Sequence, residues 1–357
     1  MPLVAHNDLP SFQRLRAEGQ TVLDPGRASH QDIRELHIGL LNMMPDAALA
    51  ATERQFFRLV GESNPIAQFY VHPFSLDELP RGQRARTHIK AFYESFDQVR
   101  EAGLDALIIT GANVTGPRLS EQAFWEPLKD VIAWAESNIT STLCSCLATH
   151  AVLEMKYGQT RRPQARKRWG VFNHCVRDKH HPLVNDVNTR FDVPHSRWND
   201  VGRDQFDAAG LRVLVESDQV GVHLATSPDG FRFVFSQGHP EYDTISLMKE
   251  YKREVTRYAR GETHSYPPFP EHYLDEFGQA ICREYRESLE HALKNQTSTP
   301  DFPEHLLIPR LHNTWHDTAE SVVGNWIGLV YQVTHADRHL PFMDEVDPSD
   351  PLKLRNR

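Results

Sequence analysis

Two short segments hold residue types that could make an activated nucleophile. Cys146 sits where a β-rich stretch, residues 139–146, turns directly into an amphipathic helical stretch that stops near Gly158. A side chain on such a turn is lifted out of the sheet, and the first N–H groups of the helix favour a thiolate and can receive an oxyanion. The second segment, Gly238-His239-Pro240-Glu241-Tyr242-Asp243, supplies a base and its partner. Residues two apart in extended chain project to one face, so Glu241 can stand beside the His239 ring while Pro240 points away. The carboxylate would fix the imidazole tautomer and stabilise the imidazolium, and a thiolate paired with that cation is a strong nucleophile near neutral pH.

Each residue also has a plainer reading. A cysteine at a strand end, taken alone, is more often a small buried hydrophobe. With 20 histidines in the chain, some fall near glutamates by chance. The combination favours chemistry: two strand ends, each followed by a helix, carry complementary parts of one mechanism. Arg161, Arg162, Arg166, Lys167 and Arg168 cluster in one segment, which reads either as a solvated loop or as a site for an anionic ligand such as a coenzyme phosphate. Cys144, Cys146, His174, Cys175, His180 and His181 suggest a metal-binding alternative, but structural zinc needs about four well-placed, regularly spaced ligands. No metal site is expected.

The elements that must position these residues follow from periodicity. Short apolar runs at 36–44, 67–72 and 104–112 read as buried strands, with helical patterns at 52–60, 91–101 and 120–136, the last with Ser120 as N-cap. Strand and helix in alternation predict an α/β fold with a mainly parallel sheet covered by helices on both faces. Residues 158–231 hold short β-like pieces, notably 211–216 and 221–225, that would extend the sheet in antiparallel fashion. Further helices are expected at 244–260, 274–293 and 318–333. The expected organisation is an irregular arm over 1–35, one α/β domain over 36–335 and a disordered, charged tail over 336–357.

With 357 residues and a net charge of −9, the chain is long enough for a large core and too acidic for a general nucleic-acid binder. No run approaches the roughly 18 apolar residues of a membrane span, and the N-terminus lacks the pattern of a signal peptide. Four unevenly spaced cysteines do not suggest a disulfide framework, so the cytoplasm is the expected location.

Thr110-Gly111-Ala112, Phe124-Trp125, Thr140-Ser141-Thr142-Leu143 with Cys146, Val193-Pro194-His195-Ser196-Arg197 and the Gly238–Asp243 segment together resemble the homoserine O-acyltransferases of methionine biosynthesis. The similarity runs from about residue 36 to 260 and resumes weakly at 313–335. It implies a class I glutamine-amidotransferase-like, flavodoxin-like fold. It also implies Cys146 as the acyl-thioester nucleophile, His239 as proton acceptor, Glu241 as its partner, and Lys167, Ser196 and Arg253 as substrate-binding residues. Arg253 on a helix could grip an amino-acid carboxylate with two hydrogen bonds, whereas Arg197, Lys252 and Arg257 read as surface charges. The co-substrate would be an acyl-CoA, no cofactor would be resident, and a homodimer is compatible with the family. The position of Thr115 is associated with acyl choice, glutamate with acetyl and glycine with succinyl. Threonine is short and neutral, and Arg118 nearby could attract a distal carboxylate, so succinyl-CoA is the expected donor and acetyl-CoA the alternative. A glutaminase would share the triad, but its nucleophile turn usually reads Gly-x-Cys-x-Gly, against Ser145-Cys146-Leu147-Ala148 here. Two departures, Leu147 where an aromatic residue is common and a lengthened, lysine-free 44–53 segment, predict a pocket of different shape.

Overall fold

The computed structural model describes residues 3–29, 34–63, 67–114 and 116–356. Among the described residues eleven strands form one sheet: β1 (Leu3–Val4), β2 (Val22–Leu23), β3 (Glu35–Leu41), β4 (Gln68–Phe74), β5 (Ala106–Ile109), β6 (Ser141–Ser145), β7 (Arg162–Val176), β8 (Arg190–Asp200), β9 (Arg212–Ser217), β10 (Gly221–Thr226) and β11 (Phe233–Ser236). Their order is β2-β1-β4-β3-β5-β6-β11-β10-β9-β7-β8. From β2 to β11 neighbours run parallel, and from β11 through β10, β9 and β7 to β8 they run antiparallel. The expected α/β class with an antiparallel extension is the observed one.

Both faces of the parallel strands are apolar because both are covered. Leu36, Ile38, Ala106 and Ile108 face a core completed by Phe56 and Phe57 of the Leu49–Glu62 helix and by Val323, Trp326 and Val330 of the His316–Val333 helix. Leu41, Leu107 and Ile109 face the other way, toward Leu128 and Val131 of the Trp125–Asn138 helix and Ala151 and Leu153 of the Leu147–Tyr157 helix. A third cluster joins Leu247, Met248, Tyr251 and Val255 of the Ser246–Ala259 helix to Cys282 and Leu289 of the Glu276–Asn295 helix and to Trp169 on β7.

Several expectations need correction. The N-terminal segment is not an irregular arm: β1 and β2 add to the sheet, and the Pro10–Ala17 helix packs Phe12 and Leu15 into the core. Two-residue strands are too short to show a period of two, which hides them in sequence. The C-terminal segment is ordered against the body, with Phe342, Leu352 and Leu354 buried. These apolar residues fall singly among charges, so no run announces them. The helix expected over 91–101 is two, Gln83–Phe92 and Phe96–Ala102, broken where Ser95 caps the second through a capping box with Gln98. Ser120 lies in a 3₁₀ turn, Leu119–Glu121, and caps nothing.

Candidate active site

Three neighbouring strands deliver the chemistry to one edge of the sheet. β6 lies between β5 and β11, all parallel, so the chain segments that leave their C-terminal ends emerge side by side. This is where open α/β sheets bind ligands. Ser145 is in register with Ser236, and the Cys146 N–H donates to the Ser236 carbonyl at 2.7 Å. Cys146 and His239, distant in sequence, thus leave adjacent strands within a few residues of a shared level.

Cys146 has φ 51° and ψ −108°, a conformation that non-glycine residues rarely adopt, and stands as the N-cap of the Leu147–Tyr157 helix. Such strain costs on the order of 1–3 kcal/mol and persists where surrounding structure holds it, commonly at reactive sites. The first N–H groups of that helix have no carbonyl one turn back to bond. A Cβ built on Gly111, just beyond β5, would lie 3.8 Å from the Leu147 amide nitrogen and 3.9 Å from Cys146 Cβ. Glycine thus leaves open a space beside the Cys146 Cβ and the helix N-terminus.

His239 is buried, its Nδ1 2.8 Å from Glu241 Oε1, with the Cys146 sulfur as an electrostatic neighbour. Burial alone would push the imidazole down, but the Cys146 sulfur and the Glu241 carboxylate raise it well above the ordinary histidine range. The ring is therefore favoured in its protonated form. Its backbone N–H donates to the Pro194 carbonyl at 2.8 Å, and the Tyr242 ring stacks on it with centroids 4.3 Å apart. Gly238 makes room for this, since a Cβ there would meet Val193 Cγ1 at 2.5 Å and His195 Cε1 at 2.9 Å.

Lys167 on β7 and Ser196 on β8 also come together. Lys167 Nζ lies 3.0 Å from Glu250 Oε2, and the Ser196 hydroxyl donates to the same oxygen at 2.6 Å. The Tyr242 hydroxyl donates to Glu250 Oε1 at 2.7 Å, which ties this cluster to the ring stacked on His239. Burial would raise the Glu250 carboxyl, but Lys167 and these hydrogen bonds hold it below the ordinary glutamate value. The Lys167 ammonium also sits 4.1 Å from the Trp169 ring centroid.

Arg253 is not drawn into that cluster. Its side chain is half exposed and pairs with Glu254 at 3.2 Å. Thr115 lies outside the described residues. The basic cluster divides: Arg162 pairs with Asp204 on the surface, Arg168 pairs with Asp200, and Arg161 is buried with Nη2 donating to the Gly116 carbonyl. Arg197, read from sequence as surface solvation, is buried against Asp200, His195 and the Val220 carbonyl. Cys144, a ligand in the metal alternative, is packed in the core, where burial pushes its thiol up.

Sequence reasoning passed over Glu250 and Tyr242. The available signal for Glu250 was its place beside the buried Leu247–Tyr251–Val255 stripe of its helix, an unusual position for a carboxylate without a partner. Tyr242 adjoins the His239 segment but carries no motif of its own.

A strained cysteine at a helix N-terminus, at the end of the strand beside the one that leads to a buried histidine–carboxylate pair, is the arrangement of side chains that nucleophilic cysteine enzymes use. The family model described as homoserine O-succinyltransferase matches residues 2–336. The chain is 66% identical over 354 residues to a homoserine O-succinyltransferase of Allochromatium vinosum, covering 99% of both proteins. A homoserine O-succinyltransferase of Thiobacillus denitrificans is 64% identical over 355 residues, covering 99% of this chain and all of that one. Among solved structures, a glutamine amidotransferase from Thermotoga maritima aligns over 83% of this chain and 98% of its own, at 9% identity and a TM-score of 0.45. The chain belongs to the homoserine O-succinyltransferase family.

Proposed function

We propose that this chain transfers a succinyl group from succinyl-CoA to the γ-hydroxyl of L-homoserine through an acyl-thioester on Cys146, giving O-succinyl-L-homoserine and CoA in methionine biosynthesis. The observation that carries the reading is the end-to-end match to homoserine O-succinyltransferases, at 66% and 64% identity in the two relatives above.

The site supports a two-step exchange. The Cys146 thiolate attacks the thioester carbonyl, and the tetrahedral oxyanion develops toward the Leu147 N–H and the main chain at Gly111. Collapse breaks the carbon–sulfur bond to CoA, which leaves with the proton that His239 held. Homoserine then enters, and His239 takes the γ-hydroxyl proton as the oxygen attacks the Cys146 thioester. The second collapse forms the ester and returns the cysteine thiolate beside an imidazolium. Glu241 keeps the proton on Nδ1 so that the other nitrogen faces the reacting atoms.

Lys167 and Ser196, held by Glu250, and Arg253 are assigned to the amino-acid substrate. Arg253, on the same helix as Glu250, would turn from Glu254 to the α-carboxylate. Acyl choice is assigned to Thr115, where a neutral side chain leaves room for a distal carboxylate. No resident cofactor enters the scheme. A cytosolic location is part of the same reading, supported by four free cysteines and by the absence, among the described residues, of any helix long and apolar enough to cross a membrane. A homodimer is also part of it and is checked by light scattering.

The deciding experiment is a matrix of acyl-CoA donors against amino-acid acceptors for the wild type and Cys146→Ala. Succinyl-CoA with L-homoserine should give the highest kcat/KM. A preference for acetyl-CoA of tenfold or more, about 1.4 kcal/mol in transition-state binding, would overturn the donor assignment.

A further inference from the structure

Away from the cysteine, a second group of side chains has the composition of a metal site. His6 follows β1, His72 lies on β4, and Glu94 lies in the turn between the Gln83–Phe92 and Phe96–Ala102 helices. One ring nitrogen from each histidine and one Glu94 oxygen all lie within 4.8 Å of one another. We propose that His6, His72 and Glu94 bind one divalent transition-metal ion, Zn²⁺ by their ligand chemistry, which staples the N-terminal segment to β4.

The tautomer of His6 is fixed by its surroundings. Its Nδ1 lies 3.2 Å from the Val4 carbonyl, which can only accept, so the proton is on Nδ1. Its Nε2 is then a bare lone pair, and that atom is buried with no hydrogen-bond partner among the described residues. An unmet buried acceptor is unfavourable, and a metal ion in the gap would satisfy it. A ring whose second nitrogen donates to a backbone carbonyl is the usual form of a metal-ligating histidine.

His72 is held in the same manner. Its Nδ1 lies 2.6 Å from Glu94 Oε1, and its Nε2 lies 2.9 Å from His37 Nδ1. With a metal on the Nδ1 of His72, its Nε2–H donates to His37, whose own Nε2–H then faces Glu35 at 3.6 Å. The three rings are stacked or tilted against one another, with His6 and His72 centroids 4.9 Å apart and those of His37 and His72 5.1 Å apart. Two imidazoles and a carboxylate are a common zinc donor set that leaves a fourth position for water. Tetrahedral zinc with bonds of about 2.0–2.1 Å sets its ligand atoms about 3.4 Å apart, so the close His72–Glu94 contact opens slightly and His6 moves in. Each ligand comes from a different segment, so the ion would stabilise the folded arrangement rather than any local one.

The test uses the full chain as Cys146→Ala, which removes the thiol as a competing ligand, after chelator treatment and dialysis. Titration with Zn²⁺ followed by calorimetry, and with Co²⁺ followed by its visible spectrum, should each show one equivalent bound, a tetrahedral-type cobalt spectrum and a raised Tm. His6→Ala and the isosteric Glu94→Gln, both folded by circular dichroism, should weaken binding tenfold or more and abolish the rise in Tm. His316→Ala, which breaks the separate group of Glu62, His316 and Glu320, should leave the titration unchanged. Absence of binding, or binding unaffected by His6→Ala and Glu94→Gln, would overturn the proposal.

Discussion

His239 Nδ1 and Glu241 Oε1 are 2.8 Å apart in a pocket that hides both side chains from water, and the Cys146 sulfur acts on the same imidazole. The carboxylate faces the ring nitrogen Nδ1, and it and the Cys146 sulfur both favour the charged form of the ring. Neither a mobile histidine nor a neutral one would serve both halves of an acyl exchange.

Glu241→Gln keeps the shape of this contact and removes the charge. The wrong tautomer becomes accessible, so kcat should fall by roughly 10²–10⁴-fold with little change in KM for either substrate. Steady-state kinetics with both substrates varied will check this.

The same pair predicts a pH dependence of stability. His239 binds its proton more tightly folded than unfolded, so its contribution is fully present below the unfolded value near pH 6.5 and is lost as pH rises through the raised folded value. Glu241→Gln removes one source of that preference. The loss of stability in urea relative to wild type should therefore be larger at pH 6 than at pH 10.

Gly111 separates steric space at the oxyanion position from stability. A Cβ there would make only ordinary contacts, 3.7 Å from Met44 Sδ and 3.8 Å from the Leu147 nitrogen, so Gly111→Ala should fold with an unchanged Tm. The methyl group would occupy the space where the oxyanion forms, and kcat should drop by at least about tenfold.

Lys167→Met leaves the Glu250 carboxylate buried with its hydroxyl partners but without its cation. Removing one member of such a pair costs about 3 kcal/mol, measurable by urea unfolding, and the double variant Lys167→Met with Glu250→Gln should recover part of the loss. Both variants should raise KM for homoserine.

The sheet's parallel half was legible because β5, and β3 from Ile38 to Leu41, are continuous apolar runs that only a strand covered on both faces requires. The juxtaposition of Cys146, His239 and Glu241 was legible because two adjacent strand ends each carried a chemically distinctive side chain. Glu250 and Tyr242 were not, since their importance comes from the β7–β8 ribbon lying against the Ser246–Ala259 helix, a tertiary fact without local spacing. Arg197 misled for the same reason: a surface-type residue is buried because Asp200 and a backbone carbonyl wait for it. The N-terminal strands were hidden by their length, and His6 gave no signal because its partners lie on β4 and in the Glu94 turn.

The most direct measurement is the intact mass of the protein after brief incubation with succinyl-CoA in the absence of homoserine. The account predicts a mass increase of one succinyl group, located on Cys146 by peptide mapping, absent from Cys146→Ala and discharged by adding homoserine. An unmodified protein that still turns over, or a Cys146→Ala variant with normal turnover, would contradict it.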